Sequence, residues 1–332
     1  MSKSPAASVE TSRKSRARKV FDRVKPWLPA LIAVLLLVVA LFALREIAGE
    51  LDYREVLAQV HATPTSALLL CLGFTLLSFV ALAGYDLSAL AYLRIRLPWH
   101  TVAQGAFAGY AVGNTVGMGA LSGGAVRLRV YGAAGMEPMQ VAQLMGFISA
   151  GFGLGITFIG AIGLLWVADR AEAVMGIPVW LLHGIGVFTL AFISWVIWLC
   201  AKGRHFKLFG QEITLPSMQL ALVQVAVSAL DLLFAATALW VLLPMSAEVS
   251  FMDFLAFYVI GVSLGVILHI PGGVGIFEAM IILAYGDSLP PATLAGALLL
   301  FRATYYLLPL ALAIGLLLLR EMLNLAKPAL PR

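Results

Sequence analysis

Six ionisable residues stand where the chain otherwise carries almost no charge: Asp86, Arg127, Arg129, Asp231, Glu278 and Arg302. Asp86 and Asp231 interrupt apolar runs. Arg302 lies ten residues into another, about 15 Å deep at 1.5 Å per residue. An ionised side chain inside hydrocarbon costs from about 2.5 kcal/mol upward, so each needs a partner or water. Arg127 and Arg129 follow a Gly123-Gly124 pair, and Glu278 follows Pro271-Gly272-Gly273. Glycines let backbone N–H groups close on a ligand, a helix start favours anions, and arginine holds phosphate by two parallel hydrogen bonds. That chemistry is recognition of an anionic headgroup. The signs suggest two pairings, Asp231 with Arg302 and Glu278 with Arg127 or Arg129. Pairs of this kind serve equally well to fix helix packing. Asp86 is the residue best placed to snorkel to an interface.

Other chemistries find no support in the spacing. The five histidines (61, 100, 183, 205 and 269) form no paired metal-binding pattern, and Cys71 and Cys200 sit apart in apolar runs as small buried hydrophobes. No phosphate loop, nucleophile elbow or dinucleotide fingerprint is present. No cofactor and no metal are expected.

The elements that must position these residues are membrane helices. Hydrophobic residues make up 61% of 332 positions and charged residues 12%, a ratio foreign to soluble domains. Charge-free stretches cover 28–44, 62–85, 138–168, 171–201 apart from Glu172, 213–230, 254–277 and 303–319. Spanning about 30 Å of hydrocarbon takes about 20 apolar residues. Residues 1–27 hold eight Lys/Arg against Glu10 and Asp22, which reads as a disordered basic arm held in the cytoplasm. Residues 28–44 read as an uncleaved first span.

Counting every apolar run as a crossing puts 14 Lys/Arg inside and 7 outside. Letting 102–136 and 251–288 each enter and leave on one side changes the balance. The inner loops 1–27, 94–100, 201–216 and 320–332 then hold 8, 2, 3 and 3, a total of 16. The outer loops hold Arg45, Arg54 and Arg170, a total of 3, with Arg127, Arg129 and Arg302 at membrane depth. The second arrangement obeys the positive-inside rule far better. It also suits the glycines and proline of the two segments, because irregular backbone at membrane depth survives only under protein or water cover.

The halves echo each other. Tyr110-x-x-Gly113-x-x-x-Gly117 matches Tyr258-x-x-Gly261-x-x-x-Gly265, Asp86-Leu87 matches Asp231-Leu232, and Gly123-Gly124 matches Gly272-Gly273. This alignment sets Glu278 against Arg129. The expected fold is an all-α polytopic membrane protein of about six full spans plus two re-entrant Gly-rich hairpins in an inverted repeat. Its repeat units are about 65–167 and 217–319, within a domain 28–320, and 321–332 is a cytoplasmic tail. Inverted repeats with broken helices are a transporter architecture.

Gly84-Tyr85-Asp86, Ser122-Gly123-Gly124-Ala-Val-Arg127-Leu-Arg129-Val-Tyr131 and Pro271-Gly272-Gly273-Val-Gly275-Ile-Phe277-Glu278 resemble the transmembrane flippase region of the multiple peptide resistance factor family. Members of that family are bifunctional lysyl- or alanyl-phosphatidylglycerol synthase/flippases. The resemblance covers about 28–320 and implies movement of phosphatidylglycerol, or its aminoacylated form, between leaflets of the bacterial inner membrane. It gives Asp86, Arg127, Arg129 and Glu278 a role in lipid handling. Full-length synthases of the family add a cytosolic acetyltransferase-like domain that uses aminoacyl-tRNA, and nothing in 1–332 resembles it, so no enzyme activity and no nucleic acid partner are expected. The competing readings are the membrane portion of a phosphatidylglycerol aminoacyltransferase and an ion-coupled exporter of a small solute with Asp231 and Arg302 as its relay. Phospholipid is the expected partner, and a homodimer and a synthase domain or protein are the protein partners left open.

Overall fold

In a computed structural model the described residues are 53–117, 119–202, 205–208, 211–244, 250–268 and 270–325. The basic arm, the first span expected at 28–44, His269 and residues 326–332 lie outside them. A short helix α1 (Tyr53–Ala62) leads into the long helix α2 (Thr65–Leu93). A first broken hairpin follows, α3 (Trp99–Val116) and α4 (Gly119–Gly132), and then a second long helix α5 (Pro138–Trp166). A short α6 (Ala168–Met175) and the long α7 (Val179–Ala201) precede two four-residue strands, β1 (His205–Leu208) and β2 (Gln211–Thr214), paired antiparallel. The second half runs α8 (Met218–Trp240), the broken hairpin α9 (Phe251–Ile267) and α10 (Ile276–Tyr285), then α11 (Pro291–Phe301). A π turn at Arg302–Leu307 joins α11 to α12 (Leu308–Leu325).

The described residues are thus all-helical but for one small β-hairpin in the 201–216 loop, which the sequence does not signal. Among the described residues five helices are long and apolar enough to cross a membrane, namely α2, α5, α7, α8 and the continuous stretch Pro291–Met322. The expected span from 171 begins eight residues later. Gly176 in the left-handed conformation ends α6, and Pro178 precedes α7, a stop and a start built from the two residues that favour them. Large apolar side chains such as Leu76, Val80, Phe188 and Leu312 point outward, as lipid-facing surfaces require. Trp99, Trp166 and Trp180 stand exposed at helix ends, where an interface would receive them.

The two hairpins open at opposite ends of the bundle. α5 starts six residues after the first hairpin closes at Gly132, so its N-terminal end lies at that hairpin's mouth. At its other end, Trp166 Nε1 donates to Asp253 Oδ1 at 3.0 Å and Arg170 pairs with Asp253 at 2.7 Å. Asp253 lies in the first turn of α9, so α5, roughly 43 Å long, runs from one mouth to the other. The glycine breaks of the hairpins meet inside. A methyl group at Gly272 would lie 3.5 Å from the carbonyl oxygens of Asn114 and Thr115, at the tip of α3. α2 and α8 pack most extensively against each other and form the seam beside this meeting point.

Candidate functional site

Small residues create the first hairpin's interior. Gly105, Gly109 and Gly113 recur every fourth residue on α3 and turn one bare face toward α4. A methyl at Gly105 would stand 2.2 Å from the Tyr131 ring, and one at Gly109 would stand 2.5 Å from Arg127 Nη1. The space a side chain would fill is occupied by an arginine and a tyrosine. Arg127 Nε and Nη2 donate to the two carboxylate oxygens of Asp86 at 2.8 and 2.7 Å, and Tyr131 OH donates to the same carboxylate at 2.6 Å. The guanidinium lies 4.4 Å from the Tyr110 ring centroid. Arg127 is 1% exposed and Asp86 0%.

The second hairpin reverses the signs. Here the acid belongs to the hairpin and the arginine to the following helix. Glu278 Oε2 accepts from the Gly275 N–H at 2.8 Å, and Oε1 accepts from Arg302 Nε at 2.6 Å. Arg302 Nη1 donates to the Gly272 carbonyl at 2.6 Å, and its guanidinium lies 4.5 Å from the Tyr306 ring. Gly272, Gly273 and Gly275 all have positive φ, at 60°, 62° and 87°, a region that L side chains adopt only with strain. Arg302 opens the π turn, and such turns gather at functional positions.

Both expected pairings are therefore corrected. Asp231 does not meet Arg302, which is committed to Glu278 and Gly272. Asp231 instead faces α2, where Ser78 Oγ donates to it at 2.5 Å and Tyr305 OH lies at 3.5 Å. Glu278 meets neither Arg127 nor Arg129. Residues two apart on a helix point to nearly opposite sides, so Arg127 turns inward while Arg129 is 66% exposed and pairs with Glu321 near the end of α12 at 2.7 Å. The two arginines do not converge on one phosphate, and Arg129 belongs to the mouth of the hairpin rather than its depth. Asp86 does not snorkel; it is sealed by Arg127 and Tyr131. Of the glycines, Gly123 packs on the Gly109 carbonyl and Gly124 faces Met145 of α5, while Pro271 starts the 271–273 turn.

Several polar residues beside these charges escaped the sequence reading. Thr75, Ser78 and Ser88 lie on one face of α2 and are buried, as are Gln224 and Ser228 on α8; Tyr85, of the Gly84-Tyr85-Asp86 motif, shares that face of α2. Gln224 Nε2 donates to Ser88 Oγ at 2.6 Å, and Cys71 Sγ meets Thr304 Oγ1 at 3.0 Å. Their spacing of three and seven residues in an apolar run was the available signal. Across the seam, α5 presents Gly151 and Gly155, where a methyl would collide with Gln224 Oε1 and Ser228. Among the described residues no group of three His, Cys, Asp or Glu side chains could hold a metal ion.

Comparison with known proteins points in one direction. The profile described as the lysylphosphatidylglycerol synthase TM region matches residues 27–313. An uncharacterized protein of Synechocystis sp. is 31% identical over 299 residues, 88% of this chain and 91% of that protein. The inner membrane protein YbhN of Escherichia coli is 31% identical over 318 residues, 91% and 93% of the two chains. A phosphatidylglycerol lysyltransferase of Staphylococcus aureus is 24% identical over 284 residues, 84% of this chain but 32% of that enzyme.

Proposed function

The chain belongs to the lysylphosphatidylglycerol synthase transmembrane-region family, and from that premise we propose that it moves a phospholipid between the leaflets of a bacterial inner membrane. The substrate class is phosphatidylglycerol or its aminoacylated form. The observation that carries this reading is the meeting of two oppositely opening hairpins at irregular backbone. Each is tied to a full-length helix by a buried arginine–carboxylate pair. Broken helices of that kind let a polar group pass where a regular apolar helix would not. The tips close the path where Gly272 meets Asn114 and Thr115, and they part for a headgroup to cross. Arg127 and Arg302 can exchange a carboxylate partner for a lipid phosphate, since both present the same planar, two-oxygen acceptor.

In this reading both chain termini are cytoplasmic, the first hairpin opens to the cytoplasm and the second to the outside, in line with the 16-to-3 distribution of Lys/Arg. The test is a leaflet-resolved assay in proteoliposomes containing headgroup-labelled phosphatidylglycerol, with an impermeant quencher reporting the outer leaflet. Wild-type protein should equilibrate the label, and Arg127→Ala at matched incorporation should not. Equal rates in protein-containing and empty vesicles would refute the reading.

A further inference from the structure

Among the described residues three carboxyl groups are buried in the bundle core, and they are not alike. Asp86 and Glu278 are each locked by an arginine. Among the described residues Asp231 makes no ion pair. Its recorded partners are hydroxyls, Ser78 and Tyr305, which also contact each other at 2.7 Å. The titratable and charged groups around it are Tyr85 on α2, Tyr110 on α3, Tyr258 on α9, and Tyr305 and Tyr306 on the π turn. The nearby cation, Arg302, is engaged by Glu278. A hydroxyl donates to a carboxylate and accepts from a carboxylic acid, so this setting can hydrogen-bond Asp231 in both protonation states. The guanidiniums that hold Asp86 and Glu278 have no acceptor, so neither can receive a hydrogen bond from a protonated carboxyl, and at Asp86 the Tyr131 hydroxyl shares the carboxylate with an arginine.

The same helices carry a polar track toward it. Four buried polar atoms on α2 and α8 lack a well-aligned hydrogen bond to protein groups: Thr75 Oγ1, which neighbours the Cys71 thiol, Tyr85 OH and Ser228 Oγ, which neighbour each other, and Gln224 Oε1. Buried polar atoms are satisfied by water when protein does not supply the partner. From Ser88 to Thr75 the track follows roughly 20 Å of helix and passes Asp231 on the way. Gly151 and Gly155 keep the facing side of α5 bare beside it.

We propose that Asp231 is a proton-exchange site reached through this seam, and that its proton cycle drives the lipid movement. The step is a simple transfer. A carboxylate oxygen takes a proton from water at one end of the seam, and the acid returns it to water toward the other end. The coupling rests on the lipid-moving reading; the proton exchange does not.

Two arms test it. Infrared difference spectra of the protein in vesicles, stepped between alkaline and acidic pH, should show a reversible carboxyl band that Asp231→Asn removes. Ser78→Ala and Tyr305→Phe should keep that band and move its midpoint, which guards against a misfolded Asn variant. In proteoliposomes the ratio of lipid movement with an imposed pH gradient to that without should exceed one for wild type and equal one for Asp231→Asn. Absence of any Asp231-dependent band overturns the proton site. A wild-type ratio of one with lipid still moving overturns the coupling and leaves the lipid reading intact. No lipid movement in either arm refutes the lipid reading and the coupling together, and the spectra then decide the site alone.

Discussion

The two broken hairpins solve one problem with different emphasis: both use a positive-φ glycine and close glycine packing, Gly117 in the first and Gly261 and Gly265 in the second, but in unequal measure. The first is closed chiefly by packing. Bare glycine faces on α3 let α4 approach until an arginine and a tyrosine fill the gap, and Asp86 of α2 seals them. The second is closed chiefly by backbone. Three glycines at positive φ unwind the turn, and the freed groups are gathered by Glu278 and Arg302. The first hairpin carries the cation and receives an anion from the helix before it. The second carries the anion and receives a cation from the helix after it. A glycine-rich break can therefore be stabilised either by what the glycines admit or by the conformations they allow, and the two respond differently to mutation.

The largest expected effect is at the sealed pair. Arg127→Ala leaves Asp86 buried without its counter-ion and should lower stability by about 3–5 kcal/mol. Adding Asp86→Asn should recover part of that loss, measured by thermal unfolding in detergent as a double-mutant cycle. Full additivity would mean the pair does not act as a unit. Arg302→Gln should cost less, because Glu278 keeps the Gly275 N–H as a donor. A larger loss there than at Arg127 would reverse the ranking of the two hairpins.

Arg127→Lys ranks next. Lysine keeps the charge but not the fork, and losing one charged hydrogen bond corresponds to about 1.5–3 kcal/mol. Glycine replacements then separate packing from conformation. Gly109→Ala should disturb the first hairpin by collision with Arg127, whereas Gly272→Ala has room and should suffer chiefly from its left-handed backbone, about 1–2 kcal/mol. Equal losses that both vanish when Arg127 is shortened would contradict this division. The smallest effect belongs to Arg129→Ala. Its exposed pair with Glu321 should contribute no more than about 1 kcal/mol, read as a shift in the unfolding midpoint within error of wild type.

Helix positions were legible in the sequence because length and apolarity decide them. The repeat units starting at 65 and 217 begin within a residue of α2 and α8, the hairpins placed at 102–136 and 251–288 fall close to α3–α4 and α9–α10, and glycine and proline marked both breaks. Partner choice was not legible. Which face of α8 Asp231 occupies, and which neighbour Arg302 reaches, depend on the rotation of whole helices, and pairing by sign alone had several solutions. Arg127 and Arg129 looked like one motif because only Leu128 separates them in the chain. Helical geometry sends one into the core and the other to the rim. The π turn at Arg302–Leu307 and the polar face of α2 were missed for different reasons. The turn leaves no mark on composition, and hydroxyls spaced along an apolar run are easily taken for neutral filling.

The central claim is that the hairpin tips must part for lipid to cross, and a reversible lock tests it most directly. With Cys71 and Cys200 replaced, Thr115→Cys and Gly272→Cys place two thiols at the meeting point of the breaks. Oxidised protein in vesicles of headgroup-labelled phosphatidylglycerol should fail to equilibrate the leaflets, and a reductant should restore movement to the rate of the unlocked protein. A disulfide-locked protein that moves lipid as fast as the reduced one would contradict the account.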